Sequence, residues 1–139
     1  MISTPWSRSL GLRAPILNAP MGGVAGSALA TAVSNAGGLG MIGMGSAGSV
    51  EALRAQLRGL SRLDRPFGIG LLGWAVETEP QLLSAALEAC PTIVSVSFGD
   101  DLGWIRRTHD AGVLAVAPAA AARAAPRAVE AGVDVVVAR

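Results

Sequence analysis

The sequence predicts an α/β fold in which parallel strands alternate with helices. Short apolar runs of strand length recur near residues 15–19, 39–43, 67–72, 92–98, 113–117 and 133–138. Segments with helical periodicity or helix-capping residues separate these six runs. The runs begin roughly 20 to 28 residues apart, which leaves room for right-handed crossover helices between parallel strands. Periodicity alone leaves two architectures open, a closed barrel and a doubly wound sheet.

Five helices are expected between the six strands. Ser27 is a candidate N-cap for the first helix and Ser49 for the second, because a hydroxyl can accept from a free amide of the first turn. Pro80 suits the first turn of the third helix. The fourth helix lies between the fourth and fifth strands. The fifth begins near Arg123, since Pro126 is tolerated only close to a helix start.

Composition and charge exclude several classes of protein. The chain has 139 residues, 51% of them hydrophobic, and a net charge of +1. Its basic residues are scattered arginines, so no electrostatic footprint for nucleic acid is present. No apolar run of the N-terminal segment suits a signal peptide or a membrane span. Cys90 has no second cysteine to pair with, and we expect it to be a buried thiol in a cytoplasmic protein.

The most distinctive segment is residues 15–43, where an apolar strand, a tight turn, a small-residue helix and a glycine-rich strand follow one another. Ala19-Pro20-Met21 and residues 32–40, Ala-Val-Ser-Asn-Ala-Gly-Gly-Leu-Gly, resemble the opening of the nitronate monooxygenase family of FMN-dependent TIM-barrel enzymes. Residues 66–69 and 131–137 resemble the third and sixth strands of that family. The resemblance implies one domain over residues 1–139, an incomplete TIM (β/α)8 barrel of about six strands and five helices.

The resemblance also implies an FMN site at the C-terminal ends of the strands. In the family the Ala-Pro-Met turn lies against the flavin ring, which assigns Ala19, Pro20 and Met21, with the adjoining Gly22, to cofactor binding. A flat ring needs an apolar surface and closely approaching backbone groups, and a Pro-Met-Gly-Gly turn supplies both. Without the resemblance, the same residues are typical of an ordinary tight turn.

Gly70 and Ser97 are the two further residues assigned to this expected site. Gly70 stands where many relatives carry an asparagine that contacts the flavin, so the chain lacks a side-chain amide there. Pro118 lies where relatives often place a polar residue. Ser97, at the end of the fourth strand, is positioned to line the mouth of the site. The alternative for Ser97 is a strand serine whose hydroxyl bonds to neighbouring backbone.

The resemblance implies oxidation of nitronates or nitroalkanes by oxygen, with FMN as cofactor. The family's catalytic base is a histidine in a Glu-Ala-Gly-Gly-His segment beyond the sixth strand, and this sequence ends at Arg139, before such a segment. We therefore expect a truncated chain that holds no catalytic residue and is inactive alone. His109, on the fourth helix, is expected to be a surface or half-buried packing residue.

Three alternatives remain from the sequence. The first is a fragment of an FMN-dependent enoyl reductase of the same fold. The second is an inactive partial-barrel module that self-associates through open sheet edges. The third is an NAD(P)-binding Rossmann domain, because residues 43–48 match Gly-x-Gly-x-x-Gly after a strand and Asp64 follows about twenty residues later. Residues 38–43 match the same pattern inside a strand, so the motif has low specificity here.

Overall fold

A computed structural model describes residues 2–138 and shows a five-stranded parallel sheet with helices between the strands. The strands are β1 Gly40–Gly43, β2 Phe67–Leu72, β3 Ile93–Ser97, β4 Leu114–Ala119 and β5 Val135–Ala138. Their spatial order follows the sequence, and every neighbouring pair is parallel. In a (β/α)8 barrel each strand pairs with the next strand of the sequence, all the way round. In a doubly wound sheet the spatial order of the strands reverses at a switch point. The fold is therefore a partial (β/α)8 barrel, and the Rossmann alternative is wrong.

The helices within residues 2–138 are α1 Pro5–Ser9, α2 Ser27–Asn35, α3 Val50–Gly59, α4 Gly73–Thr78, α5 Pro80–Glu88, α6 Gly103–Asp110 and α7 Ala124–Glu130. Five of them are the expected crossover helices, with α5 beginning at Pro80 and α7 following Arg123 as predicted. The short helices α1 and α4 carry too few turns to show a clear apolar period. None of the seven is long and apolar enough to cross a bilayer.

The first predicted strand, at residues 15–19, is reduced to an isolated parallel bridge between Leu17 and Leu39. After that bridge, hydrogen bonds from a side chain take the place of the backbone hydrogen bonds that a regular strand would make to β1. Asn18 Nδ2 donates to the carbonyl oxygen of Met41 at 3.0 Å, and Asn18 Oδ1 accepts from the Met41 amide at 2.8 Å. The amide side chain thus satisfies both main-chain groups of one residue on the outer edge of β1. The segment occupies the place of a sixth strand without forming a regular one.

The helix caps agree with the sequence at one position and differ at another. Ser49 is the N-cap of α3, and its hydroxyl accepts from the Ala52 amide at 3.1 Å. Ser27 is instead the first helical residue of α2, whose N-cap is Gly26. The Ser27 amide, which has no partner within α2, donates to Oε1 of Gln56 on α3 at 2.8 Å. A neighbouring helix therefore supplies the cap that the local sequence lacks.

The two faces of the sheet have different surroundings, because successive side chains of a strand point to opposite faces. The outer face packs against the helices, and fully buried side chains from β1 to β4 lie on it, among them Ile42, Ile69, Val94 and Ala115. The inner face carries a smaller cluster around Met41, Ile93 and Val116, against which Trp6 of α1 packs. This inner face is the one that borders the candidate site.

Cys90 differs from its prediction. Its side chain is exposed rather than buried, and its backbone φ is 50°, in the left-handed region. The residue directly follows Ala89, the C-cap of α5, and precedes Pro91. Helices commonly end on one left-handed residue at this position, usually glycine. The turn that ends the helix therefore directs the thiol outward instead of continuing the apolar face.

Candidate functional site

The turn that ends the 15–19 segment is held against the sheet by close backbone contact. A Cβ atom added at Gly43 would lie under 3.0 Å from the carbonyl group of Pro20. One added at Gly70 would lie equally close to the Pro20 ring, and one at Gly22 to the backbone of Gly45. Real Cβ atoms do not approach other atoms so closely, so these positions need glycine. The carboxyl ends of β1 and β2 thus form a glycine-lined seat for the turn.

The seat explains the residue at position 70. Gly70 pairs with Gly43 of β1 on one side and with Ser95 of β3 on the other. The space that a side chain at position 70 would occupy is taken by the pyrrolidine ring of Pro20. The missing asparagine is therefore replaced by an apolar ring rather than by an open gap.

A cavity of about 310 Å³ runs along the inner face, from Trp6 at its base towards the carboxyl ends of the strands. Ala19, Pro20 and Ser97, three of the residues predicted to bind cofactor, line this cavity together with Pro118 of β4. The remaining lining is apolar apart from Ser95 and the indole N–H of Trp6, which is buried without a hydrogen-bond partner among residues 2–138, and no charged side chain of these residues contributes to it. The arrangement suits an uncharged, mostly apolar group.

The other two predicted residues of the turn lie elsewhere. Met21 is 47% exposed and does not line the inner cavity. Its amide donates to the Ala19 carbonyl oxygen at 3.0 Å, which tightens the turn. Gly22 borders a second cavity of about 350 Å³, between the turn and residues 43–48. A contact between either residue and a cofactor stays a prediction.

The glycines of residues 43–48 make close backbone contacts within the chain, and these contacts account for their spacing. Gly43 and Gly45 receive the backbone of the Pro20–Gly22 turn, and the Gly48 amide donates to the Gly45 carbonyl oxygen at 2.8 Å. A dinucleotide fingerprint uses such glycines to approach a pyrophosphate at a switch point of the sheet. Here they approach the protein's own backbone, and the sheet has no reversal in strand order.

Ser95 also lines the cavity, although it is not among the residues expected from the sequence. This residue is 7% exposed, lies on the inner face of β3 and lines the cavity two residues before Ser97. Its hydroxyl has no hydrogen-bond partner within residues 2–138. A signal was available, since the strand reads Ile-Val-Ser-Val-Ser and the two-residue period places both serines on one face.

The chain's histidine lies far from this cavity. His109 is 40% exposed on α6, and its Nε2 lies 2.8 Å from Oδ2 of Asp134. The same carboxylate oxygen accepts from the Ala115 amide at 2.7 Å. Asp134 precedes β5, so the pair lies at the amino ends of the strands, opposite the end where barrel enzymes place their sites. It fastens α6 to the sheet. Residues 2–138 contain no group of side chains suited to a metal ion.

Comparisons with known proteins identify the family. A family model described as nitronate monooxygenase matches residues 4–81. The nitronate monooxygenase of Paraburkholderia phytofirmans is 30% identical over 94% of this chain and 46% of its own length. That of Pseudomonas aeruginosa is 52% identical over 68 residues, which are 48% of this chain and 19% of the relative.

Solved structures show the same partial barrel. FabK from Thermotoga maritima superposes with a TM-score of 0.88 at 30% identity, over 99% of this chain and 44% of its own. Nitroalkane oxidase from Streptomyces ansochromogenes superposes with a TM-score of 0.82 at 28% identity, over 96% of this chain and 48% of its own. The chain thus spans less than half the length of these structures. Because the family model covers more than half of the residues, the chain belongs to the nitronate monooxygenase family.

Proposed function

We propose that this chain forms the flavin-ring-binding part of an FMN-dependent oxidoreductase that oxidises nitronates or nitroalkanes with oxygen. The observation that carries the proposal is the cavity on the inner face, where Ala19, Pro20 and Ser97 meet at the carboxyl ends of the strands. Barrel enzymes place their sites at this end. We further propose that residues 1–139 act as one domain.

The residues present fit the ring portion of FMN. A flavin ring is planar and largely apolar, with carbonyl and nitrogen groups along one edge. The cavity volume of about 310 Å³ lies at the lower end of the range for small-molecule sites, roughly 300 to 1,000 Å³. Pro20 offers a flat apolar surface, and the hydroxyls of Ser95 and Ser97 can each donate and accept a hydrogen bond.

In this proposal the chain's own residues bind and orient, while bound FMN supplies the electron chemistry. The Pro20 ring packs against Gly70 of β2, and the Pro20 carbonyl group packs against Gly43 of β1. These contacts fix the position of the ring. Ser97 faces the mouth of the cavity and hydrogen-bonds the polar edge of the ring. The apolar walls keep water away from the ring face.

The cavity lining also limits what this chain does. Within residues 2–138 the lining contains no histidine, carboxylate or other group able to remove a proton from carbon near neutral pH. A neutral nitroalkane must lose its α-proton before it becomes a nitronate. We therefore propose that the 139-residue chain binds FMN but does not oxidise neutral nitroalkanes, and that Ala19, Pro20, Met21, Gly22, Gly70 and Ser97 contribute binding alone.

Titration of the purified chain with FMN, followed by flavin fluorescence, tests the proposal. The wild-type chain is expected to bind, whereas Gly70→Asp is expected to lose binding because the new side chain displaces Pro20 and places a charge beside an apolar cavity. Gly112→Asp is the matched control. Gly112 has a φ of 72° and open space around it, and aspartate tolerates the left-handed region. A folded wild-type chain that leaves FMN free in solution would contradict the proposal.

An enoyl reductase type of activity is the second candidate, favoured by the superposition on FabK. Both candidates place the flavin on the same surface, so FMN titration tests what they share. The FMN-loaded chain, offered a nitronate with oxygen or an enoyl thioester with NAD(P)H, separates them. We propose the first activity because the family model and the curated relatives carry the nitronate monooxygenase name.

A further inference from the structure

We infer that Ser95 orients the ligand in the inner cavity, and that this cavity selects an uncharged ring with a polar edge regardless of any phosphate attached to it. The inference rests on the proposed function and deepens it, because it names a residue and a selectivity that neither the family match nor the site residues expected from the sequence include. The supporting observations are the burial of Ser95, its place in the sheet and the lining of the cavity.

Ser95 carries a hydroxyl on the cavity-facing side of β3. The residue is 7% exposed, and its hydroxyl finds no hydrogen-bond partner within residues 2–138. Its strand neighbours on the inner face are Gly70, which has no side chain, and Val116, which is apolar. Within residues 2–138 the fully buried side-chain nitrogen and oxygen atoms that lack a partner are limited to the indole nitrogen of Trp6, so the Ser95 hydroxyl is accessible from the cavity. A ligand in the cavity can therefore supply the hydrogen bond that the described residues do not.

Ser97 extends the same row of hydroxyls towards the mouth of the cavity. Two residues along a strand correspond to roughly 6.6 Å, and side chains at this spacing point to the same face. Both serines line the cavity. Each hydroxyl can donate one hydrogen bond and accept others. The pair therefore matches a ring edge that carries carbonyl oxygens and nitrogens at intervals, such as the pyrimidine side of a flavin.

The cavity has no positively charged side chain among the described residues that could bind an anion. No arginine or other charged side chain of residues 2–138 lines it, although the chain has 11 basic residues in all. Phosphate recognition in proteins relies on cationic side chains or on amides at a helix N-terminus. A phosphate attached to the ring therefore gains little from this cavity. Riboflavin, which has the ring without the phosphate, should bind this chain as well as FMN does.

The test titrates the 139-residue chain with riboflavin and with FMN in parallel. The two dissociation constants are expected to agree within about twofold. Ser95→Ala is expected to weaken both ligands by about three- to tenfold, the range that corresponds to one lost hydrogen bond. The melting temperature of this variant without ligand should stay about the same, because the hydroxyl makes no hydrogen bond with the described residues that the substitution could remove.

Ser34 is the matched control. It is another buried serine, but its hydroxyl donates to the Pro66 carbonyl oxygen at 2.7 Å and accepts from the Gly40 amide at 3.0 Å. Ser34→Ala is therefore expected to lower the melting temperature and leave both flavin affinities unchanged. Ser95→Cys serves as a second variant, since it keeps the side-chain shape with a weaker donor and should give an intermediate affinity.

The outcomes separate the inference from the proposed function. If neither riboflavin nor FMN binds the folded wild-type chain, the proposed function fails and the inference fails with it. If both bind, and Ser95→Ala and Ser95→Cys bind as tightly as wild type, the role of Ser95 is overturned while the proposed function stands. FMN binding more than ten times tighter than riboflavin overturns the selectivity for an uncharged ring.

Discussion

The pyrrolidine ring of Pro20 lies against the Cα of Gly70, in the space where any larger residue would place its side chain. Fifty positions separate the two residues in the sequence, yet the contact decides the shape of the candidate site. It fixes the turn at the carboxyl end of the first βα unit and leaves an apolar surface where an amide side chain would otherwise stand.

Gly70→Ala is expected to destabilise the chain by about 1 to 3 kcal/mol, the usual cost of forcing extra atoms into a packed site. The new methyl group would overlap the Pro20 ring. The measurement is the urea midpoint of the single variants and of the double variant with Pro20→Gly. Because removal of the ring opens the space, Gly70→Ala should cost less in the Pro20→Gly background. Equal costs in both backgrounds would show that the two residues do not interact.

Asn18→Ala is expected to destabilise the chain by about 1 to 3 kcal/mol, because the side chain makes two hydrogen bonds to the main chain of Met41. Amide hydrogen exchange measures this directly, and the Met41 amide should exchange faster in the variant. Asn35→Ala, at an exposed position at the end of α2, is the control and should change neither quantity. Unaltered exchange at Met41 in Asn18→Ala would show that the Asn18 side chain does not protect the edge of β1.

Cys90→Gly is expected to stabilise the chain by up to about 1 kcal/mol, because glycine adopts a left-handed backbone without steric cost. Cys90 has a φ of 50° and an exposed side chain, so little packing is lost. The melting temperature should rise by roughly 2 to 6 °C, as expected for a domain of this size. Cys90→Ala keeps the strain and should not show the increase. An equal rise in both variants would mean that the thiol itself, not the backbone, is responsible.

The chain is expected to self-associate as its concentration rises. Strand β5 pairs with β4 along one edge, and within residues 2–138 no strand covers its other edge. Uncovered edges present free amides and carbonyls to other chains, and a lysine on the edge discourages this pairing. Ala138→Lys should therefore shift the light-scattering mass towards the monomer, whereas Ala122→Lys, which adds the same charge on an exposed loop, should not. A wild-type chain that stays monomeric over a hundredfold concentration range would refute the expectation.

Local features of the sequence predict much of the fold. The alternation of apolar runs predicts six strands, of which five form and the first is reduced to a single bridge. Ser49 and Pro80 mark two helix starts correctly, because a cap or a first-turn proline acts within a few residues of itself. Ser27 fails as a cap since Gln56, from another helix, satisfies its amide. That contact depends on how α2 and α3 pack, which a local pattern does not contain.

The candidate site is less predictable for the same reason. The resemblance led to Ala19, Pro20 and Ser97, and the structure brings these three residues to one cavity. The period of two along β3 also marks Ser95, but its lack of a partner depends on residues 70 and 116 in neighbouring strands. The steric reason for glycine at position 70 likewise appears only when the first turn is folded onto the sheet.

The central claim is that the inner cavity, and not the glycine-rich loop at residues 43–48, receives the flavin ring. Two-dimensional NMR of the chain, recorded while riboflavin is added, tests this claim most directly. Chemical-shift changes are expected at the amides of Ala19, Ser95 and Ser97, with little change from Gly45 to Gly48. Changes confined to the 43–48 loop, with none along β3, would contradict it.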